Sequence, residues 1–305
     1  MNRSENGSAI IIVLVISIIS ISLALFTMGI SRKIVLSSTM LMDKLHAKIG
    51  AESEIEKLKF YLSTGRFYPR SVANSIQIKD IPPIIYIDGT KQRIGKFANA
   101  TFMDTGGLMN ILVPNNNTIA RLLKNGGMSK TEAATVKDSI ADWYDKDDFK
   151  HLNGAERYYY QSIMGYKYGA RNFAGVQSVD ELHLIKGLTN DKVFKNIKDY
   201  LVLSPRWMPN INTMNAQLLS AMLNIPLDMS NTLVELRKAK GYITTFDIER
   251  ITGIQADPEL YGSFPTRILD IRLNFRFNTA MEKISCEISF IPKQTSPYRI
   301  LKWQN

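Results

Sequence analysis

From Ser8 to Ser31 the chain carries no charged residue, and this run constrains the protein more than any other feature. Ala9 to Ile30 is 22 residues of Ile, Val, Leu, Ala, Ser, Phe, Thr, Met and one Gly. As a helix rising ~1.5 Å per residue, it matches the ~30 Å hydrocarbon core of a bilayer. Seven polar residues precede it, Met1 to Gly7, with Arg3 as their cation. A cleaved secretory signal has a shorter apolar run and a small-x-small site after it. Here Arg32-Lys33 follow the run directly. The segment reads as one that stays on the mature chain, either as a plain anchor or behind a short cleaved leader.

The helix is expected to continue beyond the membrane. Ile34, Leu41, Leu45, Ile49, Ile55, Leu58 and Leu62 fall roughly on one stripe, with Glu52, Glu54, Glu56, Lys57 and Lys59 on other faces, and Gly65 ends it. Residues 76–112 read as strands and turns. Ile84 to Ile87 is a buried strand, Asp88-Gly89 a hairpin signal, and Ile94 to Met103 and Leu108 to Val113 further strands. Pro114 and Asn115-Asn116-Asn117 then break the pattern. Residues 118–260 read as helical, with Ser129 capping a helix from Lys130 to about Tyr144 and Glu132 in its first turn. Alternating strands return at Ile268 to Phe277 and Lys283 to Ile291. This order predicts an α+β fold whose sheet is interrupted by a helical insertion.

Composition narrows the function. The single cysteine, Cys286, excludes an intrachain disulfide. The histidines are His46, His151 and His183, in no metal-binding spacing, and there is no nucleophile elbow, Walker loop or dinucleotide fingerprint, so no enzyme is expected. The formal net charge of +10 raises nucleic acid or an anionic membrane as partners. An internal repeat bears on this. Val176 to Leu188 and Ile243 to Ile254 each show a polar cap, a short amphipathic helix, and Gly followed by an aliphatic residue, like a helix-hairpin-helix unit. A membrane-anchored DNA-binding protein of a DNA-uptake system is therefore the alternative function. Against it, the second Gly that exposes amides to phosphate is Thr189 in one unit and Gln255 in the other. Residues 113–260 also hold 18 Lys and Arg against 17 Asp and Glu, so the excess charge lies elsewhere and no nucleic-acid partner is expected.

The leader resembles that of a type IV prepilin, which is polar, ends in Gly and is cut before the apolar segment. The cut would fall after Gly7, leaving Ser8 as the new N-terminus. Further along come Asp104-Thr105-Gly106 with Asn110, Ala141-Asp142-Trp143-Tyr144-Asp145-Lys146-Asp147, Gly154-Ala155-Glu156, Tyr158-Tyr159-Tyr160, Asn172, Ser178-Val179-Asp180-Glu181-Leu182, and Asn210-Ile211-Asn212-Thr213. In this order and spacing they resemble minor pseudopilin K of type II secretion systems, over nearly the whole chain. The resemblance implies a type IV pilin-like fold, with a long N-terminal helix packed on a small antiparallel sheet and a large all-helical domain inserted into that sheet. The implied division is leader 1–7, transmembrane helix 8–31, periplasmic spine 32–65, first pilin-like part 66–113, helical insertion 114–260 with its two hairpin-like units, and C-terminal strands 261–305.

The resemblance implies a non-enzymatic subunit of the bacterial inner membrane, N-terminus cytoplasmic and bulk periplasmic. It would cap and initiate a periplasmic pseudopilus that drives secretion across the outer membrane. Its implied partners are minor pseudopilins I and J, with H, the major pseudopilin and secreted cargo as further candidates. Prepilin peptidase would cut the leader and methylate Ser8. Prepilins usually carry Glu at the fifth mature position, thought to neutralise the amino terminus of the preceding subunit; here it is Ile12. A subunit without that carboxylate can start a filament, because the first subunit has no predecessor to neutralise. The chain departs from the family at Gly107-Leu108-Met109, which lacks the usual Arg, at Leu112, which replaces a second Asn, and in lacking the paired cysteines of some relatives.

Asp142, Asp145, Asp147, Asp148 and Glu156 lie within fifteen residues. Calcium takes six to eight oxygen ligands, often from carboxylates on one loop. With Asp145 as position 1, Asp147 is 3 and Glu156 is 12, but Phe149 and Lys150 at positions 5 and 6 exclude an EF-hand. Relatives are implied to bind calcium in the helical domain. A looser structural calcium loop is the expectation, with Asp145, Asp147 and Glu156 first and Asp142 and Asp148 second; the alternative is a solvated acidic turn.

Overall fold

The computed structural model describes residues 5–112, 115–170, 176–204, 208–257 and 261–304, without the side chains of residues 5–9 and 116. Helix α1 runs Glu5–Thr64, about 90 Å at ~1.5 Å per residue. It includes one stretch long and apolar enough to cross a membrane. Large apolar side chains from Ile10 to Ile49 are exposed, whereas Ala47, Ala51, Ile55, Leu58 and Leu62 are buried at helical spacing. The expected stripe thus divides. Ile55, Leu58 and Leu62 lie under the sheet, while Ile34, Leu41, Leu45 and Ile49 lie open. Periodicity identifies residues that share a face; it carries no information on where the covering layer begins.

After α1 come β1 (Arg66–Phe67), β2 (Ser71–Ala73) and β3 (Ile84–Tyr86), a small antiparallel sheet. The main sheet uses β4 (Asp88–Ile94), β5 (Ala98–Asp104), β8 (Ile268–Phe277), β9 (Ala280–Ser289) and β10 (Arg299–Gln304), in the order β10-β9-β8-β5-β4, all antiparallel. Two local expectations change. Asp88-Gly89 is a register shift at the start of β4, because β3 pairs with β2 and not with β4. The expected strand Ile94 to Met103 is broken by a turn at 95–97 and becomes β5 after it. Strand β10 was not expected; its residues do not alternate cleanly, and a bulge lies between Ile300 and Lys302.

The chain leaves the sheet after Asp104 and returns at Ile268, and Asp104 pairs with Leu269 across that gap. The opposite end of the sheet is tied to the spine. In the β8–β9 turn, Asn278 Nδ2 and Thr279 Oγ1 donate to the carboxylate of buried Asp43 at 3.0 and 3.1 Å. Asp43 lies nearer the apolar run than any other buried residue of α1. The insertion therefore emerges at the end of the head farthest from that run.

The insertion contains β6 (Met109–Asn110), α2 (Asn116–Asn125), α3 (Lys130–Tyr144), α4 (Asp191–Lys198), β7 (Leu201–Val202), α5 (Ala216–Leu223), α6 (Leu227–Lys240) and α7 (Thr245–Thr252). It is wider than 114–260, because Met109 and Asn110 pair in parallel with Leu201 and Val202 inside it and do not extend the main sheet. Helix α3 starts at the expected cap, where Ser129 Oγ accepts from the Glu132 N–H and the Glu132 carboxylate accepts from the Ser129 N–H. The apolar interior forms two separate clusters. One lies between α1 and the main sheet, around Leu58, Phe102 and Ile271. The other lies inside the insertion, around Trp143, Tyr160, Leu218 and Ile248.

Candidate functional site

Helix α3 carries Asp138 and Asp142 one turn apart and ends at Asp145, its C-cap. The following loop folds back over the end of the helix. Asp138 Oδ2 accepts from Asn153 N and Nδ2 at 3.1 and 3.0 Å, and Lys186 Nζ donates to the carbonyls of Asn153 and Gly154 at 3.2 and 3.1 Å. Gly154 allows the closure, since a Cβ there would stand 1.9 Å from Asp142 Oδ2.

Asp142 is completely buried. Its Oδ1 accepts from the His151 N–H at 3.0 Å and meets His151 Nδ1. Oxygen or nitrogen atoms of Asp142, Asp145 and His151 lie within 4.8 Å of one another. Glu156 is 5% exposed. Four carboxylate oxygens here are buried without a hydrogen-bond partner: Asp142 Oδ2, Asp145 Oδ1 and both oxygens of Glu156. Among the described residues only four other side-chain atoms share that condition.

Buried, unpaired carboxylates crowd one another. Burial, then the charges of Asp142, Asp145 and Asp148, pushes the Glu156 carboxyl up to about 7. Burial, then Asp147 and Asp142, raises Asp145. The hydrogen bond to Asp142 holds the His151 imidazole above its ordinary value. A cluster of unpaired carboxylate oxygens is the donor chemistry that a hard divalent cation takes.

Of the acids singled out in the sequence, Asp142 and Asp145 come together, with His151 as the third member of the group, and Glu156 lies close enough that, after burial, their charges raise its carboxyl. Asp147 is exposed and accepts from the Phe149 N–H at 2.9 Å, shaping the turn, and Asp148 is exposed as well. His151 had no signal in the sequence beyond following the acids closely. The two repeat units share their local chemistry. Ser178 and Thr244 accept from the N–H three residues on, and Gly187 and Gly253 adopt φ of +88° and +69°. The first unit is a 3-10 turn and the second is α7. Ile12 is exposed on α1; Gly7 and Ser8, where the leader would be cut, are described by their backbone alone.

Three comparisons bear on this arrangement. The profile of type II secretion system (T2SS) protein K matches residues 110–206, which include the acidic loop. A protein of Escherichia coli (strain K12) named for type II secretion system protein K is 30% identical over 131 residues, 41% of this chain and 39% of that protein. The chain thus spans well under two thirds of that relative. A chain of the crystal structure of the GspK-GspI-GspJ complex from the enterotoxigenic Escherichia coli type 2 secretion system aligns with a TM-score of 0.54 at 14% identity. That alignment covers 88% of this chain and 98% of the other, a likeness of fold.

Proposed function

We propose that the chain is a minor pseudopilin of the type II secretion system protein K family, a structural subunit that caps the periplasmic pseudopilus and starts its assembly; the profile match over residues 110–206 and the shared fold support that reading. The observation that carries the reading is the placement of the insertion. It leaves the sheet at Asp104 and returns at Ile268, at the end away from Asp43 and the apolar run. With α1 in the inner membrane, N-terminus cytoplasmic, the bulky helical domain stands where the next subunit would seat in a growing filament. The exposed apolar face from Ile34 to Ile49 is the surface that partner spines would cover. Ile12 supplies no carboxylate to a preceding subunit, which suits a first position.

The partners on this reading are minor pseudopilins I and J, as in the complex whose fold the chain shares. Prepilin peptidase would release Met1 to Gly7 and methylate Ser8. Asp142 and Asp145, whose oxygens lie together, with the unpaired Glu156 carboxylate beside them, would hold a calcium ion, which neutralises their crowded charge and locks the 146–156 loop onto α3. Asp147, exposed in the turn, stands outside that set.

The test is co-expression of the full chain with prepilin peptidase and minor pseudopilins I and J, then purification from membranes. The expected product is a stable complex whose subunit from this chain begins at Ser8. Recovery of the chain alone, or beginning at Met1, refutes the reading.

A further inference from the structure

The two apolar cores share no residue, and the joint between them is polar. At its centre is Asp104, the last residue of β5, with no exposed surface. Its Oδ1 accepts from Thr266 N at 2.9 Å and Thr266 Oγ1 at 2.6 Å. Its Oδ2 accepts from Asn210 Nδ2 at 2.9 Å and Thr213 Oγ1 at 3.2 Å. One carboxylate therefore ties the outgoing strand, a loop in the middle of the insertion and the returning segment. Asn210 Nδ2 also donates to the Pro69 carbonyl at 2.9 Å, which reaches the small sheet. Gly106 lets the loop approach, since a Cβ there would lie 2.5 Å from the Met208 carbonyl.

Apolar burial is non-directional, so a greasy joint holds two bodies together without setting their angle. Hydrogen bonds to a fixed carboxylate weaken steeply once bent, so a polar joint sets the angle. We propose that Asp104 is a positioning residue, an orientation latch that fixes the helical insertion at one angle to the spine. Each core keeps its own packing without it; what is lost is their common orientation. The inference holds whatever the partners of the protein are.

The experiment uses the full chain in detergent micelles, with spin labels at Ser53→Cys on α1 and Lys124→Cys on α2 in a Cys286→Ala background. Double electron–electron resonance then reads the distance between spine and insertion. The parent should give one narrow distribution. Asp104→Asn, which turns a donor toward the donors, should at least double its width while helical circular dichroism is kept. Thr266→Val removes one hydroxyl donor and should broaden the distribution less; it carries the test if Asp104→Asn does not fold. A distribution that stays narrow with only a lowered melting temperature marks Asp104 as a stabilising residue and overturns the latch. A parent distribution already broad overturns it too.

Discussion

Asp104 and Asp142 are both completely buried aspartates, and their surroundings could hardly differ more. Both oxygens of Asp104 are supplied with protein donors, from two distant chain segments. At Asp142 one oxygen is satisfied by His151 and the other has no partner, with orphaned oxygens of Asp145 and Glu156 nearby. Burying a charge without partners is costly, so a fold tolerates it only where something else supplies the compensation. Asp104 is a completed joint made by the chain alone. The Asp142 site leaves carboxylate oxygens bare, and on the proposed reading a cation supplies what the chain does not. Burial by itself does not separate a structural carboxylate from a ligand; the count of donors does.

The largest test of that contrast is calcium chelation, on the proposal that the Asp142 site holds the ion. A ligand present at a hundredfold its dissociation constant stabilises by about 2.7 kcal/mol. Chelation should lower the stability of the full chain by that order in denaturant titration, and calcium should restore it. An unchanged midpoint would erase the distinction between the two aspartates. Smaller is the effect of Glu156→Gln, which removes one of the crowded charges. In chelator it should stabilise the protein by about 1 kcal/mol, because a neutral amide is cheaper to bury than an unpaired carboxylate. In calcium the sign should reverse. The same sign in both conditions would mean that Glu156 does not face the ion. Smallest is Asp147→Asn, an exposed change that should stay within about 0.5 kcal/mol with or without calcium. A loss of calcium protection in that variant would move the site outward along the loop.

Much of this was legible in the residues because it is local. Helix α3 begins at Ser129 since its cap and Glu132 lie three residues apart. Strand β8 spans Ile268–Phe277 as its alternation indicates. The acids of the proposed cation site could be gathered because they fall in fifteen residues. Spacing alone does not say which of them face inward. Counting along a loop ranked Asp147 ahead of Asp142, yet Asp142 faces inward from the last turns of α3 and Asp147 turns to solvent. The hairpin expected at Asp88-Gly89 failed for a similar reason: Asp88 is held by Arg70 Nε at 2.7 Å, a contact eighteen residues away.

The order of elements, the oily spine and the presence of a helical block within a sheet follow from runs, periods and caps, interactions that span a few residues. Where the spine becomes covered, where the insertion joins the sheet, and which aspartate is fully satisfied and which keeps a bare oxygen rest on contacts between residues as far apart as Asp104 and Thr266. Those contacts exist only once the chain has closed on itself, and solvent exclusion, which gives each of them its strength, is a property of the closed structure.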